Sequence, residues 1–346
     1  MDNKLTKKRL SDFLSYDWII MLVVIVAAIV LWELVYTIAA VRLTEGQNFK
    51  YYYDVNMYAG NDAAFYSLIT EDEDDPVFSY DVLSVTSESL TSDYNVLNLR
   101  LSVYEGDVIF TDRKPEDSGN NRAKSIVDSE RVYVLTDLLN DGVNYLAGFL
   151  KDGLSTQANG KEVVFDYNNL DEQKIRDNFL SRMRKDNRFR TDAQKEEGFY
   201  LEADRIKKVC EELEKFDYLL SVCEEEDMFF RYTRGQQALD EALAIDSTVS
   251  AEEREQRQAV VDAEKEAGRE NAPYGILLEK FTGGGRQVSE FFRRSDGTDA
   301  TDAVLMTFDF YDITDAGLHD LQFETVSFIN RIAEEFSDIF SSHTGG

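Results

Sequence analysis

The longest apolar run in the chain is Trp18 to Val41, WIIMLVVIVAAIVLWELVYTIAAV, broken by a single charge at Glu33. At about 1.5 Å per residue, a helix of that length crosses a hydrocarbon layer about 30 Å thick. The pattern therefore predicts one transmembrane helix over 18–41. Lys4, Lys7, Lys8 and Arg9 stand before it, and only Arg42 and Lys50 follow closely. Basic flanks stay in the cytoplasm, which makes 1–17 a cytoplasmic tail and places the chain from 42 onward outside the cell membrane. A cleaved signal peptide is the competing reading, with Ile38, Ala39 and Ala40 near its cut, but such peptides carry only about 7 to 15 apolar residues. Glu33 is costly in hydrocarbon. It either reaches the outer headgroups or makes a polar contact with a membrane protein partner.

Past the span the apolar runs become short and interrupted, so no second span is predicted. Residues 42–342 read as an extracytoplasmic α/β domain with room for two lobes, and 343–346 as a frayed tail. NFKYYYDV, from residue 48, fits either a strand or a helical stalk. YDVLSV, 80–85, reads as a strand. Tyr94, Leu97, Leu101 and Tyr104 then recur at helical spacing, with Thr91 or Ser92 as cap and Gly106 as terminator. DVIF returns as a strand, 107–110, completing a βαβ unit with parallel pairing. KEVVFDY, 161–167, predicts a further strand.

Ile175, Phe179 and Met183 mark a helix after Leu170. A second helix over 201–223 carries Ile206, Val209, Leu213, Phe216, Leu220 and Cys223 on one face. Ala238, Leu239, Ala242 and Leu243 mark another. Ser250 with Glu253 fits a capping box opening a mostly solvated helix to Arg269. A strand is predicted within 303–314. A closing amphipathic helix follows, with Leu318, Leu321, Val326, Ile329, Ile332, Phe336 and Ile339 inward, and Gln322 and Glu324 at the strand-to-helix corner.

Charge separates the two parts of the chain. Residues 1–43 carry net +1, which leaves −31 of the total −30 to the rest. Such a field excludes nucleic acid as a partner. The acidic run TEDEDDP, 70–76, lacks the alternating ligands and central glycine of a calcium loop, so no metal is assigned. Arg182, Arg184, Lys185, Arg188 and Arg190 form a local basic patch, best matched to a neighbouring acidic face, with an anion or a membrane surface as alternatives. Cys210 and Cys223 are the only cysteines. They read either as two buried free thiols or as a disulfide made possible by a helix break near Asp217.

The chain has no G-x-S-x-G elbow, no HExxH and no catalytic cysteine or histidine signature, so it reads as a non-enzyme without a cofactor. In a βαβ unit ligands meet the carboxyl ends of the strands. That rule selects Thr86, Ser87 and Glu88 after the first strand, and Thr111 and Asp112 after the second, as candidate ligand-binding residues.

Taken together, KKRLSDFLSYDWIIMLVVIVAAIVLWELVYTIAAVRLTEGQ, YDVLSVTSESLTSDY, EGDVIFTD, PYGILL and LQFETVSFIN make the chain resemble a group of uncharacterised single-span surface proteins of Gram-positive gut bacteria. Their outer part is distantly similar to the extracellular solute-binding proteins of ABC transporters. In that family a strand after a helix ends in D-V-x-x-x-D/S, matched here by Asp107 to Asp112. The resemblance implies a solute-binding-protein-like mixed sheet with packed helices behind one transmembrane helix. It also implies non-catalytic capture of a polar small molecule such as a carbohydrate or oligosaccharide. The alternative is a structural or interaction subunit of a membrane or cell-surface assembly.

Overall fold

The computed structural model describes residues 7, 11, 18–39, 47–54, 62–70, 76–90, 94–103, 105–112, 122–129, 131–151, 169–183, 186–230, 250–268, 273–283, 287–294, 297–300, 303–309 and 323–342. The chain divides into two units, 1–43 and 44–346. In the first, α1 (Trp18–Ala39) is one continuous helix, long and apolar enough to cross a membrane.

The second unit is built outward from β1 (Asn48–Tyr53). Phe49, Tyr51 and Tyr53 enter one core and Tyr52 enters another, so the strand is buried on both faces. β1 pairs in parallel with β2 (Ser84–Ser89) on one side and β3 (Val108–Thr111) on the other. β6 (Val304–Thr307) lies antiparallel to β3, followed by β5 (Pro273–Leu277) and β4 (Met228–Phe230), giving one six-stranded sheet of order β2-β1-β3-β6-β5-β4. The protein is therefore α/β with a mixed sheet and packed helices.

Strand alternation distributes the core. Val108, Phe110, Ile276 and Leu305 join Phe49 and Tyr51 on the larger side, while Ile109, Leu277, Val304 and Met306 join Tyr52 on the smaller one. The smaller face is covered by α3 (Tyr94–Ser102) through Leu97 and Leu101, and by α4 (Arg122–Asp128) through Ile126 and Val127. The larger face takes α2 (Asp62–Thr70), α5 (Leu135–Ala147), α6 (Glu172–Arg182), α7 (Asp192–Val222) and α9 (Glu324–Phe336). α8 (Ala251–Gly268) exposes most of its described side chains, as its sparse apolar stripe predicts, and the Glu253 amide donates to Ser250 Oγ at 3.2 Å.

Several boundaries differ from the sequence reading. The first strand of the βαβ unit lies at 84–89 rather than 80–85, and β2 and β3 are parallel but separated by β1. The α7 helix starts at Asp192, nine residues before the predicted 201, on a capping box between Thr191 and Gln194. The closing helix keeps only a narrow solvent edge at Glu334 and Glu335: Glu324, Asn330 and Arg331 are buried along with Val326, Phe328, Ile329, Ile332 and Phe336. β5 and α5 are not among the predicted elements, although Leu135, Leu138, Leu139, Gly142 and Leu146 of α5 are buried at helical spacing. The predicted strand 161–167, the helix through Ala238 to Leu243, residues 71–75 of the acidic run and the stretch 310–322 lie outside the described residues.

One glycine is required where the βαβ unit closes. Gly106 has φ +111°, and a Cβ there would lie 2.2 Å from the Tyr52 ring. The turn into β3 and the packing of Tyr52 both depend on its missing side chain.

Candidate functional site

Strands β1 and β3 lie side by side and parallel, while the connection leaving β1 runs through α2 to β2 on the other side. This makes the β1/β3 boundary the point where strand order reverses, where open α/β sheets place ligands outside the carboxyl ends. The residues at those ends are Asp54, Thr111 and Asp112. The Asp54 amide donates to Phe110 O at 2.8 Å, and Thr111 Oγ1 donates to Asp54 Oδ2 at 2.7 Å. Thr111 is buried and thereby fixes the Asp54 carboxylate beside the β3 tip.

Because β6 runs antiparallel to β3, with Val304 opposite Thr111, the segment before β6 returns to the same edge. It brings Arg294, whose Nε and Nη2 donate to the two oxygens of Asp112 at 3.1 Å each. Arg294 Nη1 donates to Asp299 O at 2.7 Å. The pair is only partly sheltered, with side-chain exposures of 12% for Arg294 and 24% for Asp112. A planar guanidinium and a carboxylate set side by side offer donors and acceptors in one fixed plane, an arrangement suited to paired hydroxyls.

The predicted site residues thus separate into two groups. Thr111 and Asp112 stand at the strand end as the βαβ argument requires. Thr86, Ser87 and Glu88 do not follow a strand; they lie inside edge strand β2, because that strand is shifted toward the carboxyl terminus. Thr86 and Ser87 are exposed, and Thr86 Oγ1 lies 3.4 Å from Asn48 Oδ1. Glu88 is drawn into a charge-balanced quartet with Lys50, Arg100 and Glu105: Lys50 Nζ lies 2.8 Å from Glu88 and 2.7 Å from Glu105, and Arg100 lies 2.8 Å from Glu105. Burial favours protonation of Glu105, but Lys50 and Arg100 outweigh it and hold the carboxyl below its usual range. Glu33 lies in α1, where the structure assigns it no partner among the described residues.

A second charged site is sealed inside the larger core. Glu202 on α7 is its hub. It accepts from Arg205 Nε and Nη2 at 3.0 Å each and from Tyr80 Oη at 2.8 Å, and it pairs with Arg182 of α6. Arg182 also lies 2.8 Å from Asp81, while Arg205 Nη1 lies 3.7 Å from Glu324 of α9. Exposure of Asp81, Glu202, Arg205 and Glu324 is at most 1%. Burial would raise the Glu202 carboxyl, but Arg205 and Arg182 overcome it and hold the group at about 2. Glu324 goes the other way: burial, then the Asp81 charge, push it up to about 7 against Arg205 and Lys208. Neither Asp81 Oδ1 nor Glu324 Oε1 has a hydrogen-bond partner among the described residues. Three carboxylates thus face two guanidiniums, which makes a proton on Glu324 the natural balance near neutrality.

Two members of the basic patch are absorbed by this framework, while Arg190 bonds Asn187 instead of an acid. Arg182 belongs to the sealed cluster, and Arg188 pairs with Asp186 at 2.8 Å and donates to Tyr80 O, both internal acidic or carbonyl partners of the kind the sequence favoured. Arg184 and Lys185 lie outside the described residues. The disulfide reading is overturned, since α7 continues without a break through Val222 and both cysteines are free. Burial raises their thiols, to about 12 for Cys210 and about 11 for Cys223. Among the described residues no cluster of histidine, cysteine or carboxylate groups could hold a metal ion.

Sequence reasoning missed Asp54, Arg294 and the whole sealed cluster. Asp54 ends a strand whose two-sided burial hides its period, and Arg294 reaches the site only through the antiparallel return into β6. Comparison with protein-family models, curated proteins and solved structures gives no match for this chain.

Proposed function

We propose that this protein is a membrane-anchored, non-catalytic recognition domain that captures a polar, hydroxyl-rich small molecule, a saccharide being the best fit, at the carboxyl end of β1 and β3. The observation carrying this reading is the partly exposed Asp112–Arg294 pair at the strand-order reversal, with Asp54 held beside it by Thr111. Hydroxyl pairs would insert between Asp112 and Arg294 or bridge them, exchanging a partly solvated ion pair for charge-assisted hydrogen bonds. Among the described residues this edge offers carboxylates and a guanidinium and no activated nucleophile, which favours binding over turnover.

The α1 helix, with its basic amino-terminal flank, supports a single-pass anchor with the second unit outside the cell membrane. In this reading the solute-binding likeness extends to function, though the capture site lies at the end of one sheet. The test is thermal denaturation of the full chain in detergent against mono- and oligosaccharides, peptides and divalent ions. A saturable rise in melting temperature with one saccharide class, lost in Asp112→Asn and Arg294→Gln, supports the proposal. Silence across the panel shifts the reading to a structural or interaction subunit.

A further inference from the structure

The corner between α6 and α7 encloses a pocket of about 370 Å³, within the size range of small-molecule sites and outside the strand-end edge. Its floor is apolar. Phe179 and Met183 are 1% and 7% exposed, and the Phe179 and Phe189 rings meet edge to face with centroids 5.2 Å apart. Leu180 forms an open wall at 44% exposure. Gly198 makes this floor possible, because a Cβ there would lie 2.4 Å from Phe179 and 2.7 Å from Phe189.

The rim is cationic in a chain of net charge −30. Arg190 and Lys195 both line the pocket. Arg190 Nε donates to Asn187 Oδ1 at 3.0 Å, and among the described residues no carboxylate pairs with it. Among the described residues, Lys195 pairs with the fully exposed Asp192, at 3.7 Å. Asp186, the acid among the described lining residues, is already neutralised: Arg188 contacts it at 2.8 Å and Gln47 Nε2 donates to it at 2.7 Å. The pocket therefore combines aromatic walls with Arg190, which no carboxylate pairs among the described residues, and Lys195, held only by a solvent-exposed ion pair with Asp192.

We propose that this pocket binds a small carboxylate carried on an apolar body, with the ring or chain against Phe179, Met183, Phe189 and Leu180 and the carboxylate on Arg190 and Lys195. Apolar burial supplies the driving force, and the cations select against neutral and positive analogues. Edge-to-face aromatic neighbours favour an aryl group over a plain alkyl chain.

The experiment is isothermal titration calorimetry of the full chain in detergent micelles with 4-phenylbutyrate. The probe of opposite charge is 4-phenylbutylamine, and empty micelles serve as the blank. The carboxylate should bind saturably and the amine should not. Arg190→Glu should weaken the carboxylate by about tenfold or more, as the loss of a charge-assisted contact implies. Leu180→Trp should abolish binding by filling the pocket. Both positions are exposed, so both variants should keep the wild-type melting temperature; if Leu180→Trp does not, Arg190→Glu decides alone. Asp112→Asn should leave this binding unchanged, separating the pocket from the strand-end site. No saturable heat with 4-phenylbutyrate, equal binding of the amine, or an affinity untouched by Arg190→Glu would each overturn the proposal.

Discussion

Two charged sites in this protein use the same residue types to opposite ends. Around Glu202, two arginines and three carboxylates are sealed at the junction of α6, α7, α9 and the segment before β2. At the strand tips, Asp112 and Arg294 make an equally regular bidentate pair that keeps a path to solvent. Water decides the difference. A sealed charge that loses its partner cannot be resolvated, so the first cluster ties elements together and contributes little that a ligand could reach. A partly exposed pair is cheaper to open, so the second is the weaker structural tie and the place where the proposed ligand would exchange with a partner.

The largest break in that comparison is expected from Glu202→Ala. It strips Arg182 and Arg205 of their shared acceptor and leaves both guanidiniums in the core. Denaturant melts should show a loss of about 3 to 5 kcal/mol, the usual cost of stranding a buried charge.

A pH series sharpens it next. The Glu324 carboxyl rises from 4.5 to about 7 on folding, so the folded state binds a proton that the unfolded chain has already released. Its contribution is fully present below the unfolded value and is lost as pH rises through about 7. Asp81, Arg205, Lys208 and Ser79 face this group and set that balance. Asp107, half-buried just before β3 and pushed up to about 7 by desolvation, adds a loss in the same direction. Melting temperature should therefore fall between about pH 5 and about pH 8 in the wild type and fall less steeply in Glu324→Gln, with Asp107 and Glu212, whose carboxyl burial also raises, contributing to the remaining slope. Equal slopes in the two proteins would remove Glu324 from the account.

A smaller effect should follow at the open edge. Asp112→Asn is expected to cost about 1 kcal/mol or less in the same melts, because the pair it breaks is partly solvated. The smallest separates two thiols on α7. Cys210 is buried beside the sealed face and Cys223 ends the helix half-buried. Alkylation of the native protein should reach Cys223 slowly and Cys210 only on unfolding, checked by mass spectrometry of the modified peptides.

Sequence pattern exposed the parts of the fold that have one dry side. The α7 face from Ile206 to Phe216 and the α6 stripe of Ile175 and Phe179 were legible, because each helix turns a polar side to solvent. Where burial is complete the period vanishes. The KYYY run of β1 gives no alternation because both its faces are packed, and α9 buries even Glu324 and Arg331, so its charges resembled a solvent face. Thr111 and Asp112 were found from a rule about strand ends, whereas Thr86 to Glu88 were displaced by a strand boundary a few residues off. Partnerships such as Asp112 with Arg294, far apart in sequence, depend on the order of strands in the sheet, and local spacing carries no record of that order.

The most direct test sets the two arginines against each other. Full-chain Arg205→Ala and Arg294→Ala should be compared by reversible denaturant melts at neutral pH. Arg205→Ala is expected to lose about 3 kcal/mol or more, by removing the bidentate partner of the buried Glu202 and the cation facing Glu324, and Arg294→Ala about 1 kcal/mol or less. Equal losses, or a larger loss at Arg294, would contradict the division between a sealed structural cluster and an open recognition edge.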